Sequence, residues 1–191
     1  MSEDPLRTTD IARDGEKFAF HNANQDWIVS FHPASLPAPN GKNHRSTAFC
    51  FTPEGRIVLV SKDGTLWEPP AGRPEGDESL RQTLDREVLE EASARVEDAV
   101  LLGYSKGICT KGHEEGLVLV RSLWWASVSI LAYVPDYEMK HRLLVAPDEA
   151  LARIGIEPLV PTIDHTPRPS GHSAIFQRFF LDAMAVQARH A

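Results

Sequence analysis

The stretch Gly72 to Ala94, GRPEGDESLRQTLDREVLEEASA, constrains this 191-residue chain more than any other part of it. Gly76-Asp77, with Asp77 as N-cap and acids in the first turn, predicts a helix from about Glu78 to Ala92. At ~100° per residue, Leu80, Leu84, Val88 and Ala92 share one stripe, and Glu87, Glu90 and Glu91 occupy an arc that abuts and partly overlaps it. The helix should therefore rest one side on a core and hold its carboxylates at the core's rim. Like charges one turn apart destabilise a helix by about 0.2–0.5 kcal/mol per pair, so a cation is expected among them. Mg²⁺ or Mn²⁺ suits such a cluster, because hard ions take oxygen ligands and bridge carboxylates to substrate phosphates. Arg86 is spaced to pair with Glu90 along the helix, or with another carboxylate in the loop, and so to orient it.

A bare REVLEE run would read as a solvated acidic face. The longer spacing does not: Gly72 is followed after five residues by Glu78, then after seven by Arg86-Glu87-Val88, one spacer and Glu90-Glu91, all preceded by Pro69-Pro70-Ala71. This pattern resembles the signature of the Nudix hydrolases. Two positions depart from it, since Ser93 stands where the family has glycine and Ala94 where it prefers a larger aliphatic residue. In the left-handed conformation common after a helix, a non-glycine residue costs on the order of 1 kcal/mol, so the expectation is a small loss of stability or a different helix exit, with chemistry retained.

The resemblance implies an α/β fold, the Nudix-type α/β/α sandwich with a mixed β-sheet. It also implies metal-dependent hydrolysis of a pyrophosphate linkage in a nucleoside diphosphate derivative. Carried over by position, Glu87, Glu90 and Glu91 would hold Mg²⁺ or Mn²⁺, the backbone carbonyl of Gly72 would add a ligand, and Glu78 and Arg86 would support the arrangement. Glu90 or Glu91 would take the proton from the attacking water, or else an acid from a later loop. Glu138 is the candidate for that role, with Glu114 and Glu115 behind it. Trp67 and Glu68 stand in WEPPAG, which is similar to the lead-in of ADP-ribose and other nucleotide-sugar pyrophosphatases, although Thr110 and Lys111 occupy the place of that subgroup's downstream proline. His113, His165 and His172 have two readings, contact with phosphate or base and an ordinary surface histidine, of which the second is favoured. The rival function is a nucleotide-binding or regulatory module without catalysis; the full set of acids favours the enzyme.

The remaining chain reads as one domain from 43 to 191 behind an extension, 1–42, of polar residues, short strands and a Pro-rich linker. Ser46 to Val60 forms a hairpin around Thr52-Pro53-Glu54-Gly55, and a short strand is expected near Leu66 to Glu68. Ala99 to Ile108 and Gly116 to Val134 read as strands, the second as one bent strand or two. Pro147 opens a short helix, and Phe176, Phe179, Phe180, Ala183 and Met184 mark an amphipathic terminal one. The net charge of −7 offers no basic patch, which argues against a nucleic-acid polymer or an anionic membrane as partner. It does not argue against a small phosphorylated substrate bridged by metal. Cys50 and Cys109 form no disulfide framework, and no leader-like or membrane-spanning run is visible, so a cytoplasmic protein is expected. Trp27, Ile28, Val29 and Phe31 make an apolar patch in the extension that must pack on its own domain or on a partner, and the reading leans to a homodimer.

Overall fold

The computed structural model describes residues 11–135, 137–155, 160–161, 167–168 and 171–190. A mixed sheet organises it. In chain order the strands are β1 (Lys17–Asn22), β2 (Gln25–Pro33), β3 (Lys42–Phe51), β4 (Ile57–Ser61), β5 (Ala71–Gly72), β6 (Ala94–Lys111), β7 (Val118–Ile130) and β8 (His141–Val145). Across the sheet they run β1-β2-β6-β7-β3-β4-β8, with β5 paired to β3. All these pairings are antiparallel except that of β3 with β7.

Period-two alternation sorts the side chains into two cores. Phe49 and Phe51 of β3 and Ile57 and Leu59 of β4 face one side, where helix α3 (Gly171–His190) covers them with Phe179, Phe180 and Ala183. Helix α2 (Pro147–Ile154) lies on the same side through Ala150. Ala48, Cys50, Val58 and Val60 face the other side, against Leu84, Val88 and Ala92 of helix α1 (Leu80–Ala92). Strands buried on both faces between helical layers give the expected sandwich. Both cysteines are buried and unbridged. No described helix is long and apolar enough to cross a membrane.

The extension packs within the chain. β2 runs along β6 from Asp26 opposite Lys111 to Pro33 opposite Gly103, and Trp27, Val29 and Phe31 enter the α3-side core. Arg178 of α3 lies over the Phe31 ring at 4.5 Å, pairs with Asp14 at 3.0 Å and donates to the Ala12 carbonyl. Of the apolar patch that suggested a second subunit, Trp27, Val29 and Phe31 are covered by the chain itself, and Ile28 is half-buried. The expected irregular start falls largely on residues 1–10, outside the described residues.

Two local expectations are corrected and one alternative is decided. Helix α1 starts later than Glu78: Ser79, not Asp77, is the N-cap, in a reciprocal box with Gln82, and no acid occupies its first turn. The segment near Leu66 forms no strand beyond one bridge, Val60 with Glu68, and Leu66 is exposed. Of the two alternatives for Gly116 to Val134, the single strand holds, as β7. The helix exit behaves as the departure from glycine requires: Ser93 sits at φ 45°, ψ 52°, its N–H bonded to Leu89 and Val88 carbonyls. Its hydroxyl accepts from the Val134 N–H at 3.0 Å, which offsets part of the left-handed strain.

Arg142 of β8 closes the same helix end. Its Nη1 donates to the carbonyls of Ala92 (2.8 Å), Ser93 (3.0 Å) and Leu131 (3.0 Å), and its guanidinium lies over the Tyr133 ring. A cation on a helix C-terminus is favourable, and charge-assisted bonds are worth about 1.5–3 kcal/mol. Arg142→Met should therefore lower the unfolding free energy by roughly 2–3 kcal/mol in urea titration; an unchanged midpoint would contradict this capping role.

Candidate active site

The site is built where β5 runs antiparallel to β3 and leads into α1. The loop between them is fastened by Arg86. Its Nε donates to Glu78 at 2.8 Å and its Nη2 to the second Glu78 oxygen at 3.1 Å, a two-pronged grip, while Nη2 also reaches the Arg73 carbonyl at 2.8 Å. Its Nη1 donates to Glu87 at 3.0 Å and Glu90 at 3.1 Å. Glu78 further accepts from the Glu75 N–H and the Thr83 hydroxyl. With Arg86 as the largest cause, these bonds hold the Glu78 carboxyl down to about 2.

The sequence places all its signature residues here. Gly72 has Glu87 pressed against its Cα so closely that any Cβ would overlap the carboxylate. The glycine is required by close approach, and its backbone lies beside an acid of α1. One residue earlier, the Ala71 N–H donates to Glu91 at 2.8 Å. Glu91 is only 6% exposed, and burial raises its carboxyl to about 7 despite that bond. Burial also raises Glu87, against the opposing pull of Arg86.

Glu87, Glu90 and Glu91 offer hard oxygen donors beside the Gly72 backbone, the chemistry Mg²⁺ or Mn²⁺ prefers. Among the described residues, no group of three or more acidic, imidazole or thiol side chains is arranged so that it could hold a metal ion. Arg86 and the Ala71 N–H hold the three glutamates in separate bonds. An ion that keeps several waters needs few carboxylates, so the donor chemistry of these glutamates suits Mg²⁺ or Mn²⁺ although they do not form a ready-made ligand group.

Glu138 is not joined to this cluster. It lies in the loop before β8, exposed and ion-paired with Lys62, whose hydrogen bond lowers its pKa. Glu114 is bonded to Gln25 at 2.9 Å, holding the loop after β6 to the start of β2. Glu115 and His113 are exposed; His165 and the His172 side chain lie outside the described residues.

A cleft of ≈ 770 Å³ opens past Ala71 and Arg73, the neighbours of Gly72, and none of Glu87, Glu90 and Glu91 lines it. Trp27, Trp67 and Phe20 wall one part of it; Arg45, Arg73 and Arg121 line another. Arg45 donates to the Ala71 carbonyl at 2.8 Å and lies 3.7 Å from Glu68. The sequence reading missed these arginines because a net charge of −7 conceals a local concentration of cations. The available signal was a lone Arg in an otherwise apolar strand, as Arg121 is in LVLVRSLWW, where burial of a charge needs a reason.

A family model described as NUDIX domain matches residues 42–153. Among solved structures, a pyrophosphohydrolase from Bacillus subtilis superposes with a TM-score of 0.59 at 20% identity, covering 89% of this chain and 97% of its own. A NUDIX hydrolase from Nitrosomonas europaea gives 0.51 at 21% identity, covering 77% and 90%. No curated protein sequence matches the chain.

The buried Glu91 gives a pH prediction for the metal-free protein. Its folded value of about 7 lies above the ordinary carboxyl value, so across that window the native state holds a proton that the unfolded chain has released, and stability falls as pH rises. Glu91→Gln removes the penalty while keeping an acceptor for the Ala71 N–H. In EDTA the variant should melt several degrees above wild type near pH 8, with the gain shrinking toward pH 5, since about 1 kcal/mol shifts Tm by ~2–4 °C at this size. A pH-independent difference would contradict the assignment.

Proposed function

The chain belongs to the Nudix family of hydrolases, and from that premise we propose that it cleaves a pyrophosphate linkage in a nucleoside diphosphate derivative with the help of Mg²⁺ or Mn²⁺. The observation that carries this reading is the seating of Glu87 against the Gly72 backbone with Glu91 on the Ala71 N–H and Glu90 on Arg86. Nudix hydrolases generally use divalent metals, and the seating of Glu87 at Gly72 and of Glu91 on the Ala71 N–H supports an ion shared between those acids and that backbone.

Glu87, Glu90, Glu91 and the Gly72 carbonyl would hold the ion. When bound, the metal would neutralise phosphate oxygens and lower the pKa of a water at the phosphorus. Arg86 positions Glu87 and Glu90 and ties both to Glu78, so loop and helix keep one register. Glu90 or Glu91 accepts the proton of the attacking water; Glu138 serves only after leaving Lys62. The aromatic wall of Trp27 and Trp67 suits a nucleoside, and WEPPAG supports an ADP-ribose-like or nucleotide-sugar compound. The buried free thiols are in keeping with a cytoplasmic enzyme.

Glu90→Gln and Glu91→Gln should each lower turnover by roughly 10²–10⁴-fold while leaving the fold intact, read by phosphate release from a panel of nucleotide diphosphate compounds. Wild-type rates in both variants on every compound cleaved would sink the site assignment. Independently, Mg²⁺ or Mn²⁺ should raise the melting temperature of the wild type, because an ion that binds only the folded cluster stabilises it by mass action. Replacing Glu87, Glu90 and Glu91 together by Gln should abolish that shift; an equal shift in the triple variant would place the ion elsewhere.

A further inference from the structure

Three arginines stand side by side across the sheet next to the acid cluster. In the parallel ladder of β3 and β7, Arg45 is the direct partner of Arg121. In the antiparallel ladder of β3 and β5, Ser46 is opposite Gly72 and Thr47 opposite Ala71, a register that carries Arg73 beside Arg45. All three line the ≈ 770 Å³ cleft. Like charges directly across strands destabilise a sheet, and the protein neutralises this row poorly. Glu68 lies 3.7 Å from Arg45, whereas the guanidiniums of Arg73 and Arg121 make no hydrogen bond or ion pair with any described residue.

The neighbourhood adds donors and little negative charge. The β3–β7 register slips between Asn43 and Arg45, which bulges His44 out beside Arg45, and both side chains reach the cleft. Burial, then the charges of Arg121, Arg73, Arg45 and Lys42, press the His44 imidazole down to about 4, so it stands neutral among them. Arg121 is itself pushed down by burial and by Arg45 and Arg73. Glu114, the other acid lining the cleft beside Glu68, is engaged by Gln25. Such a row is built for a compact anion of high charge, which guanidiniums bind through paired donors.

We propose that Arg73, Arg45 and Arg121 form a phosphate subsite separate from the carboxylate-held metal, and that the substrate class is a nucleotide carrying at least three phosphate groups, which narrows the ADP-ribose-like reading to compounds with a further phosphate and excludes plain ADP-ribose as the preferred substrate. Two belong to the scissile pyrophosphate linkage. The third meets the arginine row, either as the end of a 5′-triphosphate chain or as a phosphomonoester on the ribose. The proposal rests on reading the site as a phosphoanhydride hydrolase. Arg45 joins the two zones: it donates to Ala71, the residue whose N–H holds Glu91, and sits in register between Arg73 and Arg121.

The test uses the full chain and two readouts. In steady-state kinetics with Mg²⁺, ADP-ribose supplies two phosphates, ATP adds a terminal one, and NADPH adds a ribose 2′-phosphate. In Arg121→Gln and Arg73→Gln, the kcat/KM ratio of a three-phosphate probe over ADP-ribose should fall at least tenfold, mainly through KM. A fall for ATP alone assigns the chain terminus, and a fall for NADPH alone assigns the ribose phosphate. An equal loss on all three probes would overturn the proposal, since the row would then hold the pyrophosphate itself. The second readout needs no turnover. In EDTA, millimolar inorganic phosphate should raise the melting temperature of wild type and of the Glu87, Glu90, Glu91→Gln triple variant, and the shift should vanish in Arg45→Gln and Arg121→Gln. Equal phosphate shifts in wild type and both arginine variants would overturn the subsite, whereas a wild-type shift without hydrolysis of any probe would uphold it and remove only the catalytic reading. Removing one charge from the row should leave the anion-free melting temperature equal or higher; exposed Arg73 provides the second variant if Arg121→Gln fails to fold.

Discussion

Arg86 is the interaction on which the site depends. Glu78, Glu87 and Glu90 all accept from it, along with the Arg73 carbonyl, so one guanidinium joins the loop before α1 to two successive turns of the helix. Without it the acids would repel one another and the loop would lose its register. With it, the Gly72 backbone is held where Glu87 touches it and the Ala71 N–H meets Glu91. An Arg side chain is suited to this because its fork of five donors is planar and permanently charged.

The helix carrying the acids is fixed at both ends by groups outside the acid pattern. Ser79 and Gln82 close the front in a reciprocal box, while Ser93 in a left-handed turn and Arg142 from β8 close the back. Between them Leu84, Val88 and Ala92 are fully buried against β3 and β4. The carboxylates therefore sit at the rim of a rigid element. Burial of Glu91 is the cost of that placement, and it shows as a carboxyl displaced upward to about 7.

The sequence made part of this legible. The α1 stripe, the Arg86–Glu90 pair, the hairpin at Thr52 to Gly55 and the α3 apolar face follow from periodicity and turn chemistry, and each is present. Ser79 was overlooked because Asp77 and Glu78 mimic an N-terminal charge pattern two residues early, while Glu78 instead turns to Arg86. The destination of Trp27 and Phe31 depended on pairing β2 with β6 across about eighty residues of chain, a non-local contact that no local pattern encodes. The arginine row was hidden for the same reason, since Arg45, Arg73 and Arg121 become neighbours only through the registers of β3 with β5 and β7.

The cleft thus holds a positive zone that suits phosphate, joined through Arg45 and Ala71 to the acids of α1 that suit a metal, an electrostatic division that net charge averages away. Crystals soaked in Mn²⁺ and measured for anomalous scattering test the central claim most directly. The account expects a peak at about 2.0–2.3 Å from carboxylate oxygens of Glu87, Glu90 or Glu91, beside the Gly72 carbonyl. A well-occupied peak away from these residues, with none at the Gly72–Glu87 contact, would contradict it.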